Sequence, residues 1–172
     1  MSYDYSENIL IQESAGNLLQ NELGWEVAFA YNTEVLGENG SFGRKSYSEI
    51  LLVRYFRQAV LRLNPWITSE QIDEVQQTLE EHLSSASLLQ INEEKYKLIR
   101  DGVSVNVKLP DGRTDTRTAL LIDFQKPENN HFLAIKELKI HGDLYRRRTD
   151  IVGFVNGLPL LFIELKRPDV DV

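Results

Sequence analysis

Apolar residues recur along this chain with two different periods. A helical period runs through 6–23, 48–63 and 68–86, which predicts three amphipathic helices. Shorter apolar or alternating runs, typical of strands, occupy 25–31, 95–100, 103–109, 116–124, 132–140, 151–155 and 158–163. Asp101-Gly102 between the second and third of these runs predicts a hairpin over 95–109. Because most helices come first and most strands late, the pattern predicts an α/β fold with a mixed sheet.

The last two apolar runs predict the hairpin around which the chain is organised. Asp150 precedes the first run, and Asn156-Gly157, a pair that tolerates positive φ, makes the turn. The second run leads into Glu164, Leu165 and Lys166. Side chains alternate along a strand, so Glu164 and Lys166 share a face, roughly 6–7 Å apart, while Leu165 packs on the other. The hairpin therefore brings Asp150 back beside Glu164.

Two carboxylates and one ammonium at the end of two apolar strands have a chemical interpretation. Carboxylate oxygens suit Mg²⁺, which also prefers water and phosphate oxygens as ligands. A neighbouring lysine can orient an attacking water and offset the charge of a phosphate. The alternative is a surface ion pair of Glu164 with Lys166 or with an arginine. The residues alone leave both interpretations open.

A second Glu-Leu-Lys tripeptide shows how weak such a short motif is by itself. Glu137-Leu138-Lys139 follows Asp123 at the same spacing of 14 residues that separates Asp150 from Glu164. The polar segment QKPENNH lies between them, so no strand follows Asp123. We therefore interpret Glu137 as a chance match outside the site.

Charge and composition limit the classes of partner. The net charge is −7 over 172 residues, but residues 1–95 hold 6 Lys/Arg against 15 Asp/Glu, whereas 96–172 hold 13 against 11. The less acidic half contains the hairpin and four arginines that are candidate phosphate contacts: Arg146, Arg147, Arg148 and Arg167. No cysteine and no apolar run of about 18 residues occurs, so disulfides and a membrane span are not expected. The glycines of loop 32–47 lack the spacing of a phosphate-binding loop, and its function is left open.

The order Asp, hairpin, Glu-x-Lys resembles the core motif of PD-(D/E)xK nucleases, with Thr149 where the motif name has proline. The longer block RRRTDIVGFVNGLPLLFIELKRPDVDV resembles the N-terminal restriction domain of the R subunit of type I restriction-modification enzymes. The upstream stretch LGENGSFGRKSYSEILLVRYFRQAVLRLNP resembles the same family, so the resemblance covers most of the chain.

The resemblance implies a restriction-endonuclease-like fold, with a mixed sheet flanked by helices, and a catalytic triplet of Asp150, Glu164 and Lys166. Mg²⁺ would be held by Asp150, Glu164 and the main-chain carbonyl of Leu165. Related nucleases also carry a glutamate on the first helix, before a Gly-aromatic pair. Glu13, eleven residues before Gly24-Trp25, fits that place, with Glu7 as the second choice.

The family implies metal-dependent cleavage of double-stranded DNA in the cytoplasm, together with methyltransferase and specificity subunits. We expect one nuclease domain over 1–172, with a helical segment at about 48–87, as the N-terminal fragment of a longer motor subunit. No G-x-x-x-x-G-K-[ST] sequence occurs, so ATP would act only through motor domains absent from this chain. The fragment alone is expected to be weakly active or inactive. The alternatives are another nuclease of the same motif, of resolvase or repair type, and a non-catalytic docking domain.

Overall fold

The structure, a computed structural model, describes residues 7–81, 87–142 and 145–165, without the side chains of 7–10. The described residues divide into two units: one is built from residues up to Arg54 and from His131 onward, the other from Tyr55–Asn130. The prediction of a single nuclease domain stays a prediction. Among the described helices, none combines the length and apolarity needed to cross a membrane.

Helices and strands follow one another in mixed order. The helices are α1 (Glu7–Asn21), α2 (Val53–Leu63), α3 (Ser69–Glu80) and α4 (Leu88–Asp101). The strands are β1 (Glu26–Phe29), β2 (Val103–Lys108), β3 (Thr114–Ala119), β4 (Phe132–Lys136), β5 (Lys139–His141), β6 (Arg146–Arg148), β7 (Ile151–Val155) and β8 (Leu158–Ile163). A short 3-10 helix covers Pro127–Asn129.

The first unit contains a four-stranded mixed sheet in the order β1-β4-β7-β8 and the two-stranded sheet β5-β6. β1 runs parallel to β4, and the other pairs are antiparallel. Helix α1 packs on the sheet through Leu19, which joins Ala134 and Ile151 in a buried cluster. Trp25, Val27, Ile163 and Leu165 pack against that cluster, so the predicted packing of Leu165 is confirmed. The mixed α/β fold is confirmed too.

The predicted turn between β7 and β8 is present. Asn156 and Gly157 have φ values of 52° and 80°, the left-handed backbone that such a turn needs. Asn156 is fully buried and its side-chain Oδ1 accepts a hydrogen bond from the backbone N–H of His131 at 2.8 Å. The carbonyl of Gly157 accepts from the N–H of Leu52 at 3.0 Å. The turn is therefore tied both to the start of β4 and to the segment before α2.

Asn156→Ala is expected to lower the free energy of unfolding by about 2–3 kcal/mol. Alanine pays about 1 kcal/mol or more for the left-handed backbone, and it leaves the half-buried N–H of His131 without its side-chain acceptor. Asn32→Ala is the matched control, since Asn32 also has a positive φ, of 55°, but is exposed. Chemical denaturation should give a cost of about 1 kcal/mol for the control. Equal costs for both variants would contradict the role given to the Asn156 side chain.

Two predictions for the remaining chain need correction: the helix predicted over 48–63 is present but shorter, and the hairpin predicted over 95–109 is wrong. The helix predicted from residue 48 begins at Val53, because the N–H of Leu52 bonds to Gly157 instead of to a helical carbonyl. The hairpin predicted over 95–109 is replaced by α4 and β2. Ser87 and Gln90 form a capping box that starts α4, and Gly102, with a φ of 88°, ends it. Asp-Gly is thus a helix end here, and the hairpin is formed by β2 and β3.

The predicted helix over 68–86 is confirmed as α3, with the capping box between Thr68 and Gln71 in place. Residues 82–86 of that prediction lie outside the described residues. The predicted strand over 132–140 is divided into β4 and β5 by Glu137 and Leu138. This interruption lies next to Asp150.

Loop 32–47, which the sequence left without a role, is held by a buried ion pair. Arg44 Nε donates to Glu34 Oε1 at 2.9 Å, and Arg44 Nη2 donates to Glu34 Oε2 at 2.7 Å. The two side chains are 0% and 3% exposed. Arg44 also donates to the carbonyls of Glu49 and Lys139, both at 3.1 Å. A single guanidinium therefore joins the two ends of the loop to β5.

Candidate active site

Asp150 lies at a bend in a continuous antiparallel ribbon. Lys136 pairs with Ile151 at the end of β4, and Lys139 pairs with Arg148 at the start of β5. Two residues lie between these pairs on each chain, so the same register continues from one pair of strands to the next. Between them the N–H of Glu137 donates to the carbonyl of Asp150 at 2.9 Å. Glu137 has a φ of 58°, which turns the backbone out of the plane of the strand. Asp150 and Glu137 are consequently opposite each other.

Both carboxylate oxygens of Asp150 accept hydrogen bonds. Oδ2 accepts from the main-chain N–H of Leu165 at 2.7 Å, and Oδ1 accepts from Gln12 Nε2 at 3.3 Å. The first bond fastens Asp150 to the segment that follows β8. Each carboxylate oxygen has two lone pairs, so one hydrogen bond apiece still leaves acceptor capacity for a cation.

Glu164 follows β8 at the position that corresponds to Asp150 on β7. Ile151 and Ile163 are the last pair of the ladder, and Asp150 and Glu164 are the next residue outward on each chain. The side chain of Glu164 is exposed. The sheet thus ends with two acidic residues on neighbouring strands. They correspond because the register shifts by one residue between Gly153 and Phe154. Lys166 and Arg167 lie outside the described residues.

Glu137, interpreted from sequence as a chance match, lies beside Asp150. Gln12 Nε2 donates to Glu137 Oε1 at 2.8 Å while also donating to Asp150. Glu137 Oε2 forms an ion pair with Arg148 Nε at 2.8 Å, and the Glu137 side chain is only 13% exposed. The pairing of β4 with β7 could have predicted the place of Glu137. Lys136 pairs with Ile151, so the next residue on each chain sets Glu137 against Asp150.

Helix α1 brings Gln12 to the carboxylates of Asp150 and Glu137. Gln12 is 7% exposed, whereas its neighbour Glu13 is exposed. Among the described hydrogen bonds to Asp150, the contact from the helix comes from Gln12 and not from Glu13. Glu7 belongs to α1, but its side chain is not described. Metal ligands on a helix are expected to be charged, so the neutral amide of Gln12 carries no such signal in the sequence.

Asp123, which precedes the second Glu-Leu-Lys tripeptide by 14 residues, has a local role in the second unit. Its carboxylate accepts from Asn129 Nδ2 at 2.8 Å and from the backbone N–H groups of Gln125 and Lys126 at 3.0 and 2.9 Å. The Asn129 hydrogen bond and then those backbone bonds lower the pKa of Asp123 below its usual range. Asp123 shapes its own loop.

The arginines before Asp150 form strand β6 and are exposed. Arg147 lies over the ring of Tyr145, with 6.0 Å from the guanidinium carbon to the ring centroid. Arg148 lies over Tyr31 at 4.7 Å and is also paired with Glu137. Arg148 thus connects a basic strand to the acidic cluster.

The donor set at the end of the sheet suits a hard divalent cation. Asp150 and Glu164 offer carboxylate oxygens and the main chain at Leu165 offers a carbonyl, which are the ligand types that Mg²⁺ accepts. Within the described ranges, no group of three His, Cys, Asp or Glu side chains is arranged to hold a metal. A cation here would therefore complete its shell with the main chain, water and substrate oxygens, as Mg²⁺ commonly does.

A mixed sheet flanked by helices, with acidic residues at the end of an antiparallel hairpin, defines this chain as a restriction-endonuclease-like domain. It belongs to the family described as "Type I restriction enzyme R protein N terminus", whose model matches residues 4–172. The chain is 36% identical over 147 residues to the "Type I restriction enzyme HindI endonuclease subunit" of Haemophilus influenzae, across 85% of this chain and 14% of that protein. It is 28% identical over 166 residues to the "Putative type I restriction enzyme MjaIXP endonuclease subunit" of Methanocaldococcus jannaschii, across 95% of this chain and 15% of that protein. The chain thus spans about one seventh of the length of either relative.

Proposed function

We propose that this domain hydrolyses phosphodiester bonds of double-stranded DNA with the help of Mg²⁺, as the cutting domain of a type I restriction enzyme R subunit. The observation that carries the proposal is the convergence of Asp150 and the Glu164-Leu165 segment at one end of the sheet. Membership in the R-subunit family and the printed names of two endonuclease subunits support it. As part of such an enzyme, the domain would act in the cytoplasm together with methyltransferase and specificity subunits. ATP would be used by motor domains elsewhere in the R subunit.

Each residue of the site has a separate task in this proposal. Asp150 and Glu164 hold the cation, with the Leu165 carbonyl as a further ligand. When bound, Mg²⁺ neutralises phosphate charge and lowers the pKa of water. The bond from Leu165 N–H to Asp150 Oδ2 keeps Asp150 joined to the segment that carries Glu164 and Lys166.

Lys166 has the task of positioning the attacking water and offsetting charge on the scissile phosphate. An ammonium at this place stabilises negative charge that grows as the water attacks. The water's proton passes to solvent or to the leaving sugar oxygen. The bond from phosphorus to that oxygen breaks as the bond from phosphorus to the water oxygen forms.

DNA would approach along the exposed face of β6. Arg146 and Arg147 are exposed there and offer guanidinium groups to phosphate oxygens, and Arg167 is a further candidate. Arg148 would contribute less, since Glu137 already occupies its Nε. Contacts of this kind are independent of sequence, so recognition of a site would come from another subunit.

Lys166→Ala is expected to abolish cutting while DNA translocation by the complete enzyme continues. The lysine acts on the scissile phosphate, whereas translocation would depend on the motor domains. The assay compares cleavage of plasmid DNA with displacement of a bound strand during translocation. Lys45→Ala is the matched control, because Lys45 forms an exposed ion pair with Glu38 and lies in loop 32–47. Unchanged cutting by Lys166→Ala would instead support a non-catalytic docking domain.

A further inference from the structure

Glu137 and Asp150 form an unfavourable pair that the fold nevertheless maintains. They lie opposite each other across the bent ribbon, and both carboxylates reach the amide of Gln12. Two carboxylates brought this close carry an electrostatic cost, which the ion pair of Glu137 with Arg148 offsets in part. The backbone of Glu137 adds a second cost, because a φ of 58° is unfavourable for a residue with a Cβ. Residues that carry two local costs at an active site are candidates for a functional role.

Gln12 connects the two carboxylates, and Glu137 determines how the amide is oriented. The bond from Gln12 Nε2 to Glu137 Oε1 is 2.8 Å, whereas the bond to Asp150 Oδ1 is 3.3 Å. The stronger contact is therefore with Glu137. The amide nitrogen has to face both carboxylates, since the amide oxygen there would meet only acceptors. With Glu137 in place, the same nitrogen is presented to Asp150.

Glu137 is itself held in position. Arg148 Nε occupies its other carboxylate oxygen, Oε2, at 2.8 Å, and the guanidinium of Arg148 lies over Tyr31. The Glu137 side chain is 13% exposed, so it is also confined by its surroundings. The contacts form a chain from Arg148 through Glu137 and Gln12 to Asp150 Oδ1. The other oxygen, Oδ2, accepts from the Leu165 N–H at 2.7 Å.

We infer that Glu137 is a positioning residue that acts through Gln12 to fix the carboxylate of Asp150 for a divalent cation. The inference rests on the proposed function, since it concerns the same site. It explains why two acidic groups are kept side by side at a strained bend. Partners of metal ligands that hold those ligands in one orientation typically contribute a factor of about 10 to 100 in metal affinity.

The experiment measures Mn²⁺ binding to the chain by titration calorimetry, with Mn²⁺ as a probe for Mg²⁺. Gln12→Ala and Glu137→Ala are each expected to weaken Mn²⁺ binding by about 10-fold. The double variant should bind no more weakly than the weaker single variant, because both changes interrupt one chain of contacts. Glu38→Ala is the matched control: it removes an exposed glutamate that pairs with Lys45, and it should bind Mn²⁺ like the wild type.

Two outcomes would overturn the inference. If Glu137→Ala weakens binding and Gln12→Ala does not, Glu137 acts only through its charge. If the double variant shows the product of the two single effects, the residues act independently.

Glu137→Gly is a control for misfolding. Glycine accepts the left-handed backbone at this position, and the substitution removes the same carboxylate as Glu137→Ala. It should melt at or above the wild-type temperature and still bind Mn²⁺ about 10-fold more weakly.

Failure of the proposed function has a different signature. If the wild type binds no Mn²⁺, or if Asp150→Asn binds it as tightly as the wild type, the metal site itself is wrong and the inference falls with it. If Mn²⁺ binding depends on Asp150 but is indifferent to Gln12, only the positioning role is wrong.

Discussion

Asp150→Asn is expected to reduce DNA cleavage by the complete enzyme by at least about 10³-fold, because a bound cation contributes several kcal/mol to stabilising the transition state. The fold should survive. Asparagine retains an oxygen that can accept the N–H of Leu165, and it removes one of the two charges that meet at Gln12. Its amide nitrogen cannot accept from Gln12, so the hydrogen bond that is lost is the longer of the two made by Gln12, at 3.3 Å. The free energy of unfolding should therefore stay within about 1 kcal/mol of the wild type. Cleavage rates and thermal unfolding, measured on the same preparation, test both parts.

Asp123→Asn is the matched control for that result. Asp123 stands at the same distance before a Glu-Leu-Lys as Asp150 does, but its carboxylate is occupied by its own loop. An asparagine oxygen can still accept from the loop, so cleavage should match the wild type. Equal loss of cutting in the two variants, or full cutting by Asp150→Asn, would contradict the assignment of the site.

Arg44→Ala is expected to lower the free energy of unfolding by about 3–5 kcal/mol, the largest stability effect that we predict. The substitution leaves the Glu34 carboxylate buried without its counterion, and it removes the bonds to the carbonyls of Glu49 and Lys139. Loop 32–47 should loosen first, which faster amide hydrogen exchange in that loop would detect. Denaturant titration provides the total cost.

Two further variants show whether this cost comes from burial. Arg113→Ala breaks an ion pair with Asp111 whose side chains are 77% and 48% exposed, and should cost about 0–1 kcal/mol. Arg44→Leu combined with Glu34→Leu should recover part of the lost stability, since no buried charge then remains unpaired. A double variant less stable than Arg44→Ala alone would contradict the burial argument.

The parts of the fold that the sequence predicts best are those that local chemistry determines. Asn156-Gly157 specifies its turn because few residues accept that backbone, and Thr68 with Gln71 specifies the start of α3. The hairpin turn predicted at Asp101-Gly102 is wrong, because this dipeptide also suits the end of a helix. Glycine at positive φ serves both structures, and only the capping box at Ser87 distinguishes them.

The candidate site was predictable only in part, because its supporting residues depend on pairing between distant segments. Asp150 and Glu164 lie on one hairpin, but the turn alone would set Glu164 against Thr149. A register shift of one residue between Gly153 and Phe154, which the sequence did not predict, sets Glu164 against Asp150. Glu137 and Gln12 reach Asp150 from 13 and 138 positions away in the chain. Their placement depends on how β4 pairs with β7 and on how α1 packs through Leu19. A neutral glutamine and a glutamate in an ordinary tripeptide carry no local signal of that role.

In the proposed mechanism, Asp150 and Glu164 hold a divalent cation between them. The most direct measurement is a crystal of the protein soaked in Mn²⁺, with anomalous difference density calculated around the end of the sheet. We expect a peak within about 2.0–2.3 Å of an oxygen from each of these two carboxylates, with the Leu165 carbonyl as a further ligand. A soaked crystal with Mn²⁺ bound at other carboxylates and no peak between Asp150 and Glu164 would contradict it.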